Sequence, residues 1–427
     1  MVIVVPDSQI IGILERKAKN KMLATLIPLF DENMTVKAYS LFTQKKNFLL
    51  NPSFLGTGMN DGVGQIQGFE LIENMGIETL SGDKEVFISV NNISLFTDID
   101  EQCKAPHDRV VLLVDNAVLP NDMYVNRLKE LKNSGYKLAI RKLPVSSFED
   151  YRQVLLLMDY ILLDHKKIDI TKARIYFTKI YPNIKLCAGN IDTQEIFEQL
   201  KAEGGYQLYE GAFYRMPVTK GEAKVAPLKV NYIELLNIVN EPDFDLTKAA
   251  DVIGRDTALV ISLLKMVNHM TVNSEITSIR HAAAMLGQKE LKKWINTAVT
   301  NQLCADRPNE IMRVSLLRAK FAENLATVFE MGGQAGELFL MGLFSVLDLI
   351  INKPMEEALK MVKVSKEIEE ALIEDKGHFA PVLEFVKQYE SANWQEIDRT
   401  MLLNHMGSKQ VYDAYISALR WYRDLFS

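Results

Sequence analysis

Cysteine is scarce in this chain: 427 residues contain three, Cys103, Cys187 and Cys304, far apart and without a Cys-x-x-Cys pair. That spacing excludes a disulfide framework and a thiolate zinc site, and it suits reduced thiols. Long apolar runs are missing too. No stretch approaches the roughly 20 apolar residues that a bilayer crossing needs. The apolar opening MVIVVPDSQIIGI lacks a basic start and is interrupted by Pro6, Asp7 and Ser8, so it reads as neither a signal peptide nor a membrane span. A positive surplus is also absent: the net charge of −6 argues against nonspecific nucleic-acid binding. The expectation is a cytoplasmic protein with no nucleic-acid and no membrane partner.

What is present is a full globular composition, 48% hydrophobic and 24% charged. The length exceeds one ordinary compact domain, so two are expected. Residues 22–215 alternate short apolar runs with amphipathic stretches. Strand candidates are LATLIPLF (23–30), EVFISVN (85–91), RVVLLVD (109–115), KLAIRKL (137–143), YILLD (160–164), IKLCAGN (184–190) and YQLYEG (206–211). Helical patterns lie between them. NDMYVNRLKELKNSG (121–135) ends on Gly135, and Ser147 and Thr193 stand as N-caps of two others. Repeated β-then-α units predict a parallel sheet, either closed as a (β/α) barrel or open and doubly wound.

The rhythm changes after Pro217. TKGEAKVAPLK (219–229) is polar and reads as a linker, and beyond it only helical periodicity appears, as in Leu259, Leu263, Met266 and Val267. The boundaries expected are a barrel over 1–218, a linker over 219–229 and an all-helical domain over 230–427.

Five stretches, in order, carry a resemblance across the first half: PLFDENMTVKAYSLFTQ (28–44), GYKLAIRKL (135–143), MDYILLD (158–164), LCAGNIDTQEIF (186–197) and LYEGAFYRMP (208–217). They resemble the EAL domain, a TIM-like α/β barrel that hydrolyses the bacterial messenger cyclic di-GMP with metal ions. In the second half, PDFDLTKAADVIGRDTALVISLLKMVNH (242–269) and ITSIRHAAAMLGQKELKKW (276–294) resemble the HDOD domain, a helical relative of the HD phosphohydrolases. The resemblance implies a bacterial signalling protein.

It also implies a set of site positions, and most of them have changed. Two-metal phosphodiester hydrolysis needs several carboxylates gathered at strand ends. The family's first Glu falls on Ser40 and its phosphate-binding Arg on Gln44. The Asn ligand falls on Ser89, or on Asn92 in the other frame, and the next Glu on Leu113. The paired aspartates fall on Arg141 and Lys142, the catalytic Lys on Leu162, a further Glu on Gly189 and the Gln near the end on Glu210. Asp164 and Asp192 keep carboxylates. Neighbours in a strand point to opposite faces, so one of Arg141 and Lys142 should face the barrel mouth, where a cation repels a divalent metal. In the helical half, MGLFSVLDLII (341–351) places Ser345 and Val346 where the HD family carries its metal-binding His-Asp.

The resulting expectation is that the chain is not an enzyme, with no catalytic residue, no metal and no cofactor. It is expected to act as a protein–protein scaffold or regulator for other signalling proteins, and a homodimer is compatible with this. The alternatives are a non-hydrolysing sensor of an anionic nucleotide such as cyclic di-GMP, with Arg141, Lys142, Asp164 and Glu210 as ligand-binding candidates, or residual phosphodiesterase activity. Glu210 and Asp164 are expected to compete for the two cations and to leave little net positive field. The remaining signals read as structural. GTGMNDGVGQIQG (56–68) is a loop without a GK[ST] ending, and His107-Asp108 is a coincidental dipeptide. His269 and His281 are isolated, Met331 and Met341 are core, and KELKK (289–293) is a solvated face.

Overall fold

A computed structural model describes residues 22–44, 66–218, 227–241, 243–270 and 276–426. The glycine-rich stretch at 56–65, most of the expected linker and the first 21 residues lie outside these. The chain divides into two compact units, each treated separately below. One takes in the chain up to Met216 together with Asn324–Gly332 and Glu384–Ser427; the other holds Pro217–Glu323 and Gly333–Leu383. The C-terminal residues from Glu384 therefore group with the barrel, although 230–427 was expected to form one helical domain.

Eight strands close the barrel: β1 (Ala24–Phe30), β2 (Val36–Thr43), β3 (Glu85–Ser89), β4 (Val110–Val114), β5 (Lys137–Arg141), β6 (Tyr160–Asp164), β7 (Lys185–Ile191) and β8 (Leu208–Gly211). β2 through β8 run parallel, whereas β1 is antiparallel to both its neighbours. The open doubly wound alternative is thus excluded. β2 was absent from the expected strands because it follows β1 through a tight turn. There the Asp31 carboxylate accepts the N–H groups of Asn33 and Thr35, both at 2.9 Å, and Met34 takes φ 61°. Its alternation Ala38-Ser40-Phe42 was the available signal.

Alternate residues of the strands fill the lumen. Leu29, Ala38, Phe87, Val111, Leu113, Ala139, Tyr160, Cys187 and Leu208 form one buried cluster, with Leu162 packed against it. At the N-terminal end of the strands the cluster is closed by Tyr160, whose hydroxyl donates to Glu85 at 2.7 Å. Outside, the helix Asp122–Asn133 is capped by Asn121, and Gln194–Glu203 by Thr193 as expected. Ser147 is not an N-cap: it ends a short 3₁₀ turn, and the following helix, Arg152–Leu155, starts after Tyr151.

The C-terminal segment is tied to the antiparallel corner of the barrel. The fully buried Tyr389 hydroxyl donates to the Ala24 carbonyl at 3.0 Å, and its ring lies 4.7 Å from that of Tyr415. Arg215 pairs with Glu390 at 3.2 Å. Because β1 runs antiparallel, Ala24 faces Thr43 at the C-terminal end of β2. These contacts therefore sit at the mouth end of the barrel.

In the second unit every described element is a helix, from Pro227–Val239 to Lys366–Ile373, apart from one 3₁₀ turn. Met331, which groups with the barrel, and Met341 are both buried, as core positions should be. No described helix is long and apolar enough to cross a membrane. Replacing Tyr389 by Ala removes a buried aromatic ring together with its hydrogen bond. The expected cost is about 3–5 kcal/mol, read as a lowered urea midpoint followed by tyrosine fluorescence.

Candidate functional site at the barrel mouth

Strand alternation settles which expected positions share the lumen. Ser40 lies two residues beyond the lumenal Ala38, Ser89 two beyond Phe87, Arg141 two beyond Ala139, Asp164 two beyond Leu162, Gly189 two beyond Cys187 and Glu210 two beyond Leu208. Leu113 and Leu162 are lumenal themselves. Ser89 is the lumenal residue of the β3 pair; Asn92 is exposed beyond the strand end. Lys142 parts from Arg141: it follows the last β5 residue, is exposed, and takes φ 58°. Of the two adjacent cations, the lumen receives Arg141.

The Arg141 guanidinium reaches across the mouth. Its Nη2 donates to the Ser89 hydroxyl at 2.7 Å, and its central carbon stands 5.7 Å from the Phe42 ring centroid. Burial lowers its pKa, and the nearby charges of Glu210 and Asp115 partly restore it. Neither carboxylate closes on it as an ion pair. Burial likewise pushes the Glu210 carboxyl above its usual range, with Arg141 opposing the rise and Asp164 adding to it. Two lumenal groups have no hydrogen-bond partner among the described residues, Arg141 Nε and the Ser40 hydroxyl.

Other expected positions are engaged elsewhere. Burial pushes the Asp164 carboxyl up, but hydrogen bonds from Asn190 and the Lys166 N–H, with the Lys167 ammonium 3.5 Å away, hold it below its usual range. Asp192 pairs with Lys166 at 2.6 Å. Gln44, where the resemblance puts a phosphate-binding Arg, is buried and donates its side-chain amide to Asp398 of the helix Trp394–Leu403. Asp115, Phe42 and Asp398 are the site residues that sequence reasoning missed. Asp115 already ends the strand candidate 109–115 and Phe42 follows the β2 alternation; Asp398 lies 354 positions from Gln44 and leaves no local signal.

The metal pair implied by the resemblance does not fit this donor set. Divalent cations of that kind take several oxygen ligands. Here the strand ends supply Asp115, Asp164 and Glu210; Asp164 is engaged by Lys167, and the charge of the Arg141 guanidinium lies near Asp115 and Glu210. Among the described residues no group of three or more His, Cys, Asp or Glu side chains is placed to hold a metal ion.

In the helical unit an arginine also bonds the serine that stands at an expected metal-ligand position. Arg318, in the helix Asn309–Leu325, donates to the Ser345 hydroxyl at 3.1 Å, and that hydroxyl donates to the Gly342 carbonyl at 2.6 Å. A Cβ at Gly342 would meet the Arg318 backbone at 2.5 Å, so the two helices approach closely there. Asp348 is buried and its pKa raised by that burial, against the Val218 N–H and the Arg318 charge, which lower it. His269 and His281 are exposed. KELKK is less solvated than expected: Lys293 is half-buried, with its ammonium 2.8 Å from Glu323 and over the Phe339 ring.

Residues 225–377 match the HDOD domain. It is 28% identical over 82% of its length to an uncharacterized protein of Bacillus subtilis, YuxH, and spans 87% of that chain. It is 26% identical over 75% of its length to the cyclic di-GMP phosphodiesterase CdgJ of Vibrio cholerae, and spans 74% of that chain. A solved EAL domain protein from Listeria monocytogenes shares 15% identity over 50% of this chain and 94% of that one, with a TM-score of 0.36. The expectation that the chain is not an enzyme is corrected by these relatives, because the Vibrio protein, matched across both units, is a phosphodiesterase. That expectation rested on the changed residues at the positions the resemblance implies.

Glu210 offers a pH test. A raised folded-state pKa gives a stability contribution that is complete below the unfolded pKa of about 4.3 and is lost as pH rises through the folded value. Glu210→Gln should therefore melt above the wild type near neutral pH, with the difference shrinking to nothing in acid, in thermal unfolding across a pH series.

Proposed function

We propose that this chain works in cyclic di-GMP signalling and that the barrel mouth is where the dinucleotide is met. The observation that supports this best is Arg141. Its guanidinium is lumenal, half-buried and held by Ser89, and its charge is met by no direct ion pair. Sequence reasoning expected Glu210 and Asp164 to absorb the positive field. The mouth is less neutralised than that. Asp164 is engaged by Lys167 and the Lys166 N–H, and Glu210 forms no ion pair with the guanidinium. A phosphodiester matches a guanidinium in charge and in fork geometry. The kinship with CdgJ points to the same messenger.

A second reading, contact with other signalling proteins, is favoured by the rim. Ile93 and Phe96 after β3, Leu119 and, in the first turn of the helix Asp122–Asn133, Met123 after β4, and Val145 after β5 are exposed apolar side chains beyond three successive strand ends.

Titration calorimetry of the full chain with cyclic di-GMP tests the first reading. Saturable binding is expected, weakened about tenfold or more in Arg141→Ala, the loss of one charge-assisted hydrogen bond. Undetectable wild-type binding, or binding indifferent to the substitution, refutes it. For the rim, a Phe96→Asp, Met123→Asp variant should lose proteins that co-purify with the wild type from the native cell while keeping its nucleotide binding. An unchanged set of co-purifying proteins counts against that reading.

A further inference from the structure

Resting on the reading that the mouth meets cyclic di-GMP, we infer that this site carries its own cation. The Arg141 guanidinium stands where the EAL resemblance implies metal, and it grips a phosphate of the dinucleotide together with the Ser40 hydroxyl, with no metal ion between.

Three observations converge on this. First, the position is the right one: Arg141 is the lumenal residue at the end of β5, level with Leu162 on β6, and its guanidinium crosses to Ser89 on β3. A bound divalent ion there would face a fixed positive charge. Second, the site keeps unspent donors. Arg141 Nε and Ser40 Oγ are buried without a partner among the described residues, and such atoms are rare unless water or a ligand completes them. Both belong to one neighbourhood, since Ser40 pairs with Phe87, two residues before Ser89, and Phe42, two residues after Ser40, lies under the guanidinium. Third, the guanidinium is braced. The Ser89 hydroxyl and the Phe42 face restrict it, so little ordering entropy remains to be lost when a phosphate arrives.

A metal bridge and a guanidinium solve the same problem differently. The metal brings positive charge but must be held by several anionic oxygens brought together, and among the described residues no three acidic or metal-binding side chains are so placed. The guanidinium brings its charge covalently, with N–H groups directed in a plane that phosphate oxygens match. Whatever the barrel does with the dinucleotide, its grip on phosphate is then independent of divalent ions.

The test uses the full chain, stripped with a chelator. Manganese alone is titrated and followed by electron paramagnetic resonance, and cyclic di-GMP is titrated by calorimetry with either chelator or excess magnesium present. The expected result is no saturable manganese site and one nucleotide affinity in both buffers. Ser40→Ala and Arg141→Lys, each checked for native circular dichroism, should both weaken the nucleotide. Arg141→Lys should lose about tenfold, because it keeps the charge but not the fork. A saturable manganese site that disappears in Asp164→Asn overturns the inference, as does nucleotide binding that requires magnesium; in either case the broader reading survives. Nucleotide binding in neither buffer sinks both. Full affinity in Ser40→Ala removes that hydroxyl from the grip and overturns the two-residue site.

Discussion

A single guanidinium in the lumen sets the terms for the barrel mouth. Removing a cation from water is expensive unless nearby groups replace the solvent, and burial accordingly lowers the Arg141 pKa. The surroundings answer in three ways. Ser89 accepts a hydrogen bond, Phe42 presents its face, and the carboxylates of Glu210 and Asp115 supply negative potential without touching. The Glu210 carboxyl likewise responds to burial by rising above its usual range, with the Arg141 charge opposing the rise. Below this layer the lumen is apolar, from Leu113 and Leu162 down to Phe87 and Tyr160. The charged layer is confined to the strand ends, where a ligand could reach it.

The helical unit solves a similar problem by similar means. Where the HD resemblance calls for a His-Asp pair, Ser345 accepts from Arg318, and buried Asp348 lies within the field of that arginine. Gly342 lets the helix Ala335–Phe344 approach the Arg318 backbone closely, which a side chain would prevent. In each unit an arginine bonds a serine at a position to which the resemblance gives a metal ligand.

Several expectations failed for identifiable reasons. β2 was passed over because the turn that precedes it leaves only five residues between strands, too few for the βα unit that organised the rest of the reading. Ser147 has the chemistry of a cap, but the chain makes a 3₁₀ turn there before its helix starts. The helices after Glu384 look locally like those before them, and periodicity cannot say which core a helix joins. Lys293 belongs to a basic run, yet Glu323, thirty residues on, draws it inward.

The sequence by itself determined an α/β first half followed by a helical second half, and the identities of the residues at the strand ends. These follow from short-range periodicity, which the backbone repeats of strand and helix impose directly; closure of the sheet into a barrel was decided by the structure. Strand alternation even required that only one of Arg141 and Lys142 face inward. Tertiary structure alone decided which one, because the inward set depends on register around a closed ring. It also decided that Gln44 meets Asp398, that Tyr389 closes on Ala24, and that Glu210 and Asp164 leave the guanidinium without a direct ion pair. Such facts rest on distances between residues far apart in the chain, and they exist only once the barrel has closed.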